Sequence, residues 1–284
     1  FIFLFYFLIM YKILNGKKIS EKIFKKLKQE IKNKKLKLKL AVILVGNNLI
    51  SEVYARKKRI ACQDVGINFE LFQFPSTINK LKLKKEIEKI NKKKDVSGIV
   101  IQLPLPEKFN NQEFLNFIFS EKDIDVLSEK NLSEFYGGTL KFLPPVVGAV
   151  KKILEEYKID IKNKKIVLVG KGRLVGKPLS IWLMNQQVDF SIVDRSIKDI
   201  SSYTKKADII ISGVGLPNFI TGKLVKKGVI VIDAGTSSEK GKTIGDIDFR
   251  SVSEKAEYIT PVPGGVGPVT IACLLENLVK INLK

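Results

Sequence analysis

Histidine does not occur anywhere in the 284 residues. Its absence excludes Ser-His-Asp and Cys-His catalysis, histidine-containing zinc sites and the usual general base near neutral pH. Acid–base chemistry must therefore fall to Lys, Asp, Glu or Tyr. Cysteine is scarce as well. Cys62 and Cys273 are far apart, outside any CxxC pair, and lie in apolar helical patterns, as buried thiols of a reducing cytoplasm do. Arginine is confined to Arg56, Arg59, Arg173, Arg195 and Arg250, although the net charge is +21. Nucleic-acid recognition leans on arginine's planar fork, so the lysine excess reads as a solvated surface and no nucleic-acid partner is expected. Residues 1–9 are uncharged and apolar, yet fall short of the ~20 residues of a membrane span and lack a basic n-region. No membrane association is expected; Met10 is read as the natural start and residues 1–9 as upstream translation.

With 45% hydrophobic residues, the chain can bury a substantial core, divided between two domains. Its apolar runs follow a βα rhythm. Ile19, Ile23, Phe24, Leu27 and Ile31 form a helical stripe, and the run Ala41-Val-Ile-Leu-Val45 reads as a buried strand. Ser51 is placed to cap a helix running to about Val65, with Gly66 ending it. Further strands are expected at 68–74, 98–103, 166–169, 190–193, 209–212 and 229–233. Short apolar strands alternating with helices predict an α/β fold with parallel sheet covered on both faces. The expected division is a catalytic domain at 10–144, with the helix 269–284 packing back on it, and a Rossmann-type domain at 145–268, with a cleft between the two.

Two glycine-rich segments mark backbone shaped for ligands. Pro261-Val-Pro-Gly-Gly-Val-Gly-Pro-Val-Thr-Ile271 combines fixed φ at proline with the freedom of glycine, which suits the wall of a binding site. Upstream, the strand 166–169 runs straight into Gly170-x-Gly172-x-x-x-Gly176, and a helix follows with Pro178 in its first turn. Such a turn presents backbone N–H groups and a helix N-terminus to a pyrophosphate. Asp194 closes the next strand, where a carboxylate would bind a ribose 2′-hydroxyl and favour NAD. Lys171, Arg173 and Arg195 could instead neutralise the 2′-phosphate of NADP, so both cofactors stay open.

Tyr54 and Lys58 lie four residues apart on the helix after Ser51 and so share a face. The like charges of Lys57 and Arg59, together with partial burial, are expected to lower the Lys58 pKa and make a neutral amine available for proton transfer.

The chain resembles the bifunctional methylenetetrahydrofolate dehydrogenase/methenyltetrahydrofolate cyclohydrolase family. The matching blocks are VGNNxxSxxYxxxK at 45–58, GIVIQLPLP at 98–106, EKDID at 121–125, GxGRLVGKP at 170–178, GDIDF at 245–249 and TPVPGGVGPxT at 260–270. The resemblance implies that Lys58 is the central catalytic residue, with Gln102 hydrogen-bonded to its amine. It places Tyr54 against the bound folate, with Leu103 and Pro104 beside it, and gives Asp125 the amide-like edge of the pterin. Gly264, Gly265 and Pro268 would form the wall between folate and nicotinamide. The cofactor set would comprise Gly170, Lys171, Gly172, Arg173, Val175, Gly176, Asp194, Arg195, Gly213, Val214, Gly215 and Thr236.

The activity implied is oxidation of 5,10-methylenetetrahydrofolate with NADP (NAD being possible), then hydrolysis of the methenyl product to 10-formyltetrahydrofolate, in one-carbon metabolism and purine biosynthesis. A cytoplasmic homodimer is implied too. A dehydrogenase with weak cyclohydrolase activity and, from another class, a basic RNA-binding protein are the rival readings; the latter would bind RNA in a salt-sensitive way and bind no folate. Asp246 and Asp248 resemble a metal pair, but the family makes their segment a structural loop and no metal is expected. The chain departs from the pattern at Ser120, at Val126 (usually glycine), at Pro145-Val-Val147 (often Cys-Thr-Pro), at Lys171, and at Asp194-Arg195 (often His-Ser).

Overall fold

The computed structural model describes residues 11–109, 112–239 and 242–283. The expectation for residues 1–9 lies outside them. Two compact units emerge: one comprises residues up to Lys17 with Ala149–Pro268, the other Lys18–Gly148 with Val269–Lys284.

In the unit holding Lys18–Gly148, three parallel strands are ordered Asn68–Phe74, Lys39–Val45, Gly98–Ile101. Lys39–Val45 is central, and six of its seven residues are buried, which explains its unbroken apolar run: a parallel strand covered on both faces has no polar side to show. Ala41, Ile43 and Val45 pack with Ile99 and Ile101 of the neighbouring strand and with Leu83, Ile87 and Ile90 of the helix Lys80–Lys92.

The helix Leu49–Val65 crosses between two of these strands and buries Ser51, Ala55, Lys58, Ala61, Cys62 and Val65. That spacing is one amphipathic stripe, interrupted by a single charged residue, Lys58. Gly66 ends the helix in the left-handed conformation at φ 83°, as read from sequence. The N-cap differs from expectation. Asn48, three residues earlier than Ser51, accepts from the Ser51 N–H, because Asn caps as well as Ser and stands before the first helical residue. Ser51 instead turns inward, and its hydroxyl donates to the Leu103 carbonyl at 3.4 Å.

The last helix, Val266–Asn282, packs most of its length on this unit. A Cβ on Gly98 would fall 2.4 Å from a Leu278 methyl, so a bare backbone there lets the helix approach the sheet. Asn277, buried on that helix, donates to the carbonyls of Ile124 and Leu143 at 3.0 and 2.9 Å.

The other unit carries a six-stranded parallel sheet in the order Lys12–Ile13, Ala256–Ile259, Val229–Asp233, Ile209–Ser212, Ile166–Val169, Phe190–Val193. Ile166–Val169 comes first of the last four along the chain, yet it lies between Phe190–Val193 and Ile209–Ser212. The chain therefore leaves it first to one side and later to the other. Such a reversal opens a crevice outside the carboxyl ends of the strands, the usual ligand position in a Rossmann-type sheet. Lys12–Ile13 and Ala256–Ile259 were not anticipated from sequence. The first is two residues long, and the second, Ala-Glu-Tyr-Ile, buries only its ends.

Asn277→Leu should leave two buried carbonyls without donors and lower unfolding free energy by about 2–4 kcal/mol, read as a shift in denaturant midpoint. An unchanged midpoint would remove Asn277 from the structural role assigned to it.

Candidate active site

Lys58 presents its amine to the interior from the apolar stripe of its helix, 9% exposed, and Gln102 at the end of Gly98–Ile101 is 8% exposed. The amine donates to Gln102 Oε1 at 2.6 Å. Gln102 is held in turn: its Nε2 donates to the Leu103 carbonyl at 2.9 Å and its backbone N–H to Ile43 at 2.8 Å. The side-chain amide therefore has one orientation, with its oxygen toward the amine.

Burial pushes the Lys58 pKa down, opposed by the negative charge of Asp125. The expected like-charge contribution of Lys57 and Arg59 is absent. Both flanking residues are exposed, being a hundred degrees around the helix from the buried stripe. The Tyr54 ring centroid is 6.0 Å from Lys58 Nζ and 5.2 Å from Lys57 Nζ, so the shared face of Tyr54 and Lys58 is realised.

Asp125 is half-buried, and burial lifts its pKa to about 6 against the pull of Lys58. The next residue, Val126, is buried at φ 59°. A β-branched residue strongly avoids this left-handed conformation, so valine follows the backbone path that glycine would take and bears the strain. Asp123, two residues before Asp125, steadies the turn. Its buried carboxylate accepts from the backbone N–H groups of Leu127 and Ser128, the Ser128 hydroxyl at 2.6 Å and the Asn131 amide. Leu103 is partly buried and Pro104 exposed, and a cis peptide joins them.

In the other unit, the predicted cofactor residues gather at the carboxyl edge of the sheet. Gly170, Gly176 and Gly213 are packed backbone to backbone or against Val175. A Cβ on Gly176 would sit 2.0 Å from the Gly170 carbonyl oxygen, one on Gly170 2.7 Å from that of Gly213, and one on Gly213 2.2 Å from a Val175 methyl. Gly172 and Gly215 differ, since a Cβ on either would meet nothing within 4 Å. Among the described residues nothing occupies the space a side chain at Gly172 would take, so its bareness suits a ligand approaching the backbone. The turn leads into the helix Gly176–Asn185, whose N-terminus faces the same edge. These features fit a dinucleotide pyrophosphate.

Asp194 leaves the end of Phe190–Val193 and accepts from the Ser196 hydroxyl and backbone N–H at 2.5 and 2.9 Å; Lys171 Nζ lies 3.2 Å away. These donors, Ser196 first, hold the Asp194 pKa at about 2. Arg173 and Arg195 are exposed beside them in sequence, and Thr236 lies in the segment after Val229–Asp233.

The proline- and glycine-rich segment belongs to this unit as far as Pro268. Gly264 takes φ 111°, and its carbonyl accepts from the Lys17 N–H at 3.0 Å. A Cβ on Gly16 would fall 1.8 Å from the Gly265 oxygen, so Gly16 is the bare point on which the loop rests.

Sequence reading passed over Asp123, Asp233 and Thr260, and it left Asp246 in a structural loop. All four are buried and hydrogen-bonded within the chain. The signal for two of them was a glycine next to or near an aspartate, Asp233-Ala-Gly235 and Gly245-Asp246.

Comparison with known proteins follows the same division. Residues 14–125 match the tetrahydrofolate dehydrogenase/cyclohydrolase catalytic domain, and residues 144–284 match the NAD(P)-binding domain of the same name. The bifunctional protein FolD of Nautilia profundicola is 46% identical over 272 residues, 94% of this chain and 96% of that one. The crystal structure of the bifunctional FolD methylenetetrahydrofolate dehydrogenase/cyclohydrolase from Campylobacter jejuni superposes with a TM-score of 0.89 at 41% identity, covering 95% of this chain and 98% of that one. The Trypanosoma brucei enzyme, complexed with NADP and an inhibitor, gives a TM-score of 0.90 at 29% identity over 95% and 97%. With both domains matched in order and the likeness running through nearly all of its length, this chain belongs to the tetrahydrofolate dehydrogenase/cyclohydrolase family.

Proposed function

We infer that this chain oxidises 5,10-methylenetetrahydrofolate and hydrolyses the 5,10-methenyl product to 10-formyltetrahydrofolate. The observation that carries this reading is the buried Lys58 amine held at 2.6 Å by an oriented Gln102. In a chain without histidine, it is a base with a depressed pKa and a fixed direction.

The nicotinamide, when bound, supplies the acceptor for the hydride that leaves the methylene bridge. The residues suited to hold the dinucleotide are the glycine turn 170–176, Val175, the segment 213–215 and Thr236. On the folate side, Asp125 accepts N–H groups from the pterin edge, Tyr54 packs against its ring, and Leu103 and Pro104 continue that surface. Gly264, Gly265 and Pro268 are assigned to the substrate wall. Water adds to the cationic methenyl carbon, and Lys58 takes up the proton that is lost. The carbon–N5 bond then breaks as the carbonyl forms and the remaining hydroxyl proton passes to N5, with one proton released overall. Gln102 fixes the amine by accepting its N–H.

Of the two dinucleotides, NADP is the proposed partner. Lys171 and Ser196 already engage the Asp194 carboxylate, which weakens its repulsion of a 2′-phosphate, and Arg195 follows it directly. The Trypanosoma brucei relative is complexed with NADP. The product is a one-carbon donor of the kind purine biosynthesis consumes, and a cytoplasmic homodimer completes the proposal. Among the described residues, no helix is long and apolar enough to cross a membrane.

Three outcomes test this reading. Lys58→Met should cut hydrolysis of methenyltetrahydrofolate by about 100-fold or more while dehydrogenation persists; no effect on either activity would remove Lys58 from catalysis. Because the Asp125 carboxyl titrates at about 6, acidification through that value converts it from an acceptor to an acid, and kcat/KM for methylenetetrahydrofolate should fall below it; a flat profile from pH 5 to 8 would contradict the pterin role. Arg195→Ala should weaken NADP about tenfold, the scale of one charge-assisted hydrogen bond, and leave NAD unchanged. Equal losses for both would place Arg195 away from the 2′-phosphate.

A further inference from the structure

The segment Gly245-Asp-Ile-Asp-Phe249 has no part in the chemistry described so far, yet Asp246 is fully buried. Its carboxylate is occupied by one short stretch of chain. Oδ2 accepts from the Ser212 hydroxyl at 2.8 Å and the Val214 N–H at 2.7 Å, and Oδ1 accepts from the Leu216 N–H at 3.0 Å. These donors bracket Gly213, Val214 and Gly215, the loop leaving Ile209–Ser212 at the carboxyl edge of the sheet. Gly215 in that loop takes φ 74° and has open space around it.

Asp246 is itself gripped by Asp233. The Asp233 carboxylate accepts from the backbone N–H groups of Gly235, Asp246 and Ile247 at 2.9, 3.2 and 3.0 Å. Both close approaches depend on glycine. A Cβ on Gly235 would lie 2.1 Å from the Asp246 carboxylate, and one on Gly245 2.0 Å from an Asp233 oxygen. The Asp233 N–H donates to Thr260 Oγ1 at 2.7 Å, immediately before Pro261. A chain of hydrogen bonds thus runs from the 213–215 loop through two aspartates to the start of the proline- and glycine-rich segment.

We propose that Asp246 is a positioning residue for the dinucleotide site, its buried carboxylate setting the path of the 213–215 loop at the carboxyl edge of the sheet, where open space at Gly215 leaves room for the cofactor. Burying two carboxylates side by side is costly, and burial pushes both pKa values up, Asp233 to about 7 with Asp246 adding to the effect. Three donors converging from one loop need two acceptor oxygens, and a carboxylate supplies both where an amide supplies one.

The proposal rests on the dinucleotide reading above, and direct binding separates the two. NADPH and NADH are titrated by fluorescence into the full chain, alongside Asp246→Asn and Ser212→Ala. Asp246→Asn should raise the dissociation constant of the preferred dinucleotide at least tenfold, Ser212→Ala by a few-fold, with hydrolysis of added methenyltetrahydrofolate kept within twofold. That hydrolysis uses no dinucleotide, and Lys58 and Gln102 lie in the other unit. Binding by Asp246→Asn within twofold of the unaltered chain would overturn the proposal, as would parallel loss of binding and hydrolysis in a variant that still melts cooperatively. Should Asp246→Asn fail to fold, unchanged binding in Ser212→Ala overturns it and weakened binding with hydrolysis intact supports it. An unaltered chain that binds neither dinucleotide would overturn the underlying reading instead.

Discussion

An amine kept out of water in the middle of an apolar helix stripe is the constraint from which the chemistry proposed for this chain follows. Burial disfavours the ammonium form and holds the Lys58 pKa below that of an ordinary lysine, which makes it the proposed base in a chain without histidine. Such a group needs a partner that does not restore its charge. Gln102 is neutral, accepts at 2.6 Å and is locked by the Leu103 carbonyl. A carboxylate in that position would hold the lysine protonated. Asp125 acts on the amine only as a more distant opposing charge, and its own carboxyl is raised toward neutrality. The two groups therefore titrate toward each other, a pattern that marks acid–base sites.

The parallel sheets supply the rigidity these side chains need. Gln102 directly follows a strand buried along all four of its residues, and Lys58 rises from a helix whose ends are fixed by Asn48 and Gly66. In the other unit, the reversal at Ile166–Val169 brings the ends of three strands together, and close-packed glycines hold the turn that follows. Positioning in both units thus comes from main chain and small residues, with the proposed reactive groups added at strand ends and on one helix face.

Much of this was legible in the sequence because it is local. The strand at 39–45 announces itself by an apolar run and the helix end by Gly66, while the glycine turn stands between a strand and a helix. Lys58 was singled out by its place on the helix and by a family block, whereas Gln102 and Asp125 were identified through family blocks of fixed spacing alone. What escaped was long-range. The pairing of Lys12–Ile13 with Ala256–Ile259 joins chain segments too short to carry a period. Asp233 and Asp246 contact residues 212–216 and 260 through folding alone, and nothing near either aspartate in the sequence names those partners. The like-charge effect expected at Lys58 failed for a geometric reason, since neighbours along a helix point away from one another. Val126 shows the converse: its departure from glycine was visible, but only the backbone reveals that the glycine path is kept, at φ 59°.

The most direct test of the central claim is the titration of Lys58 itself, followed by NMR of the side-chain Cε in isotopically labelled full chain, with Lys58→Met to assign the signal. Burial against Gln102 requires the Lys58 midpoint to lie clearly below the 10.5 of an ordinary lysine, apart from the cluster of surface lysines. A Lys58 signal titrating with that cluster would show the amine to be solvated and charged, and the acid–base role built on it would fall.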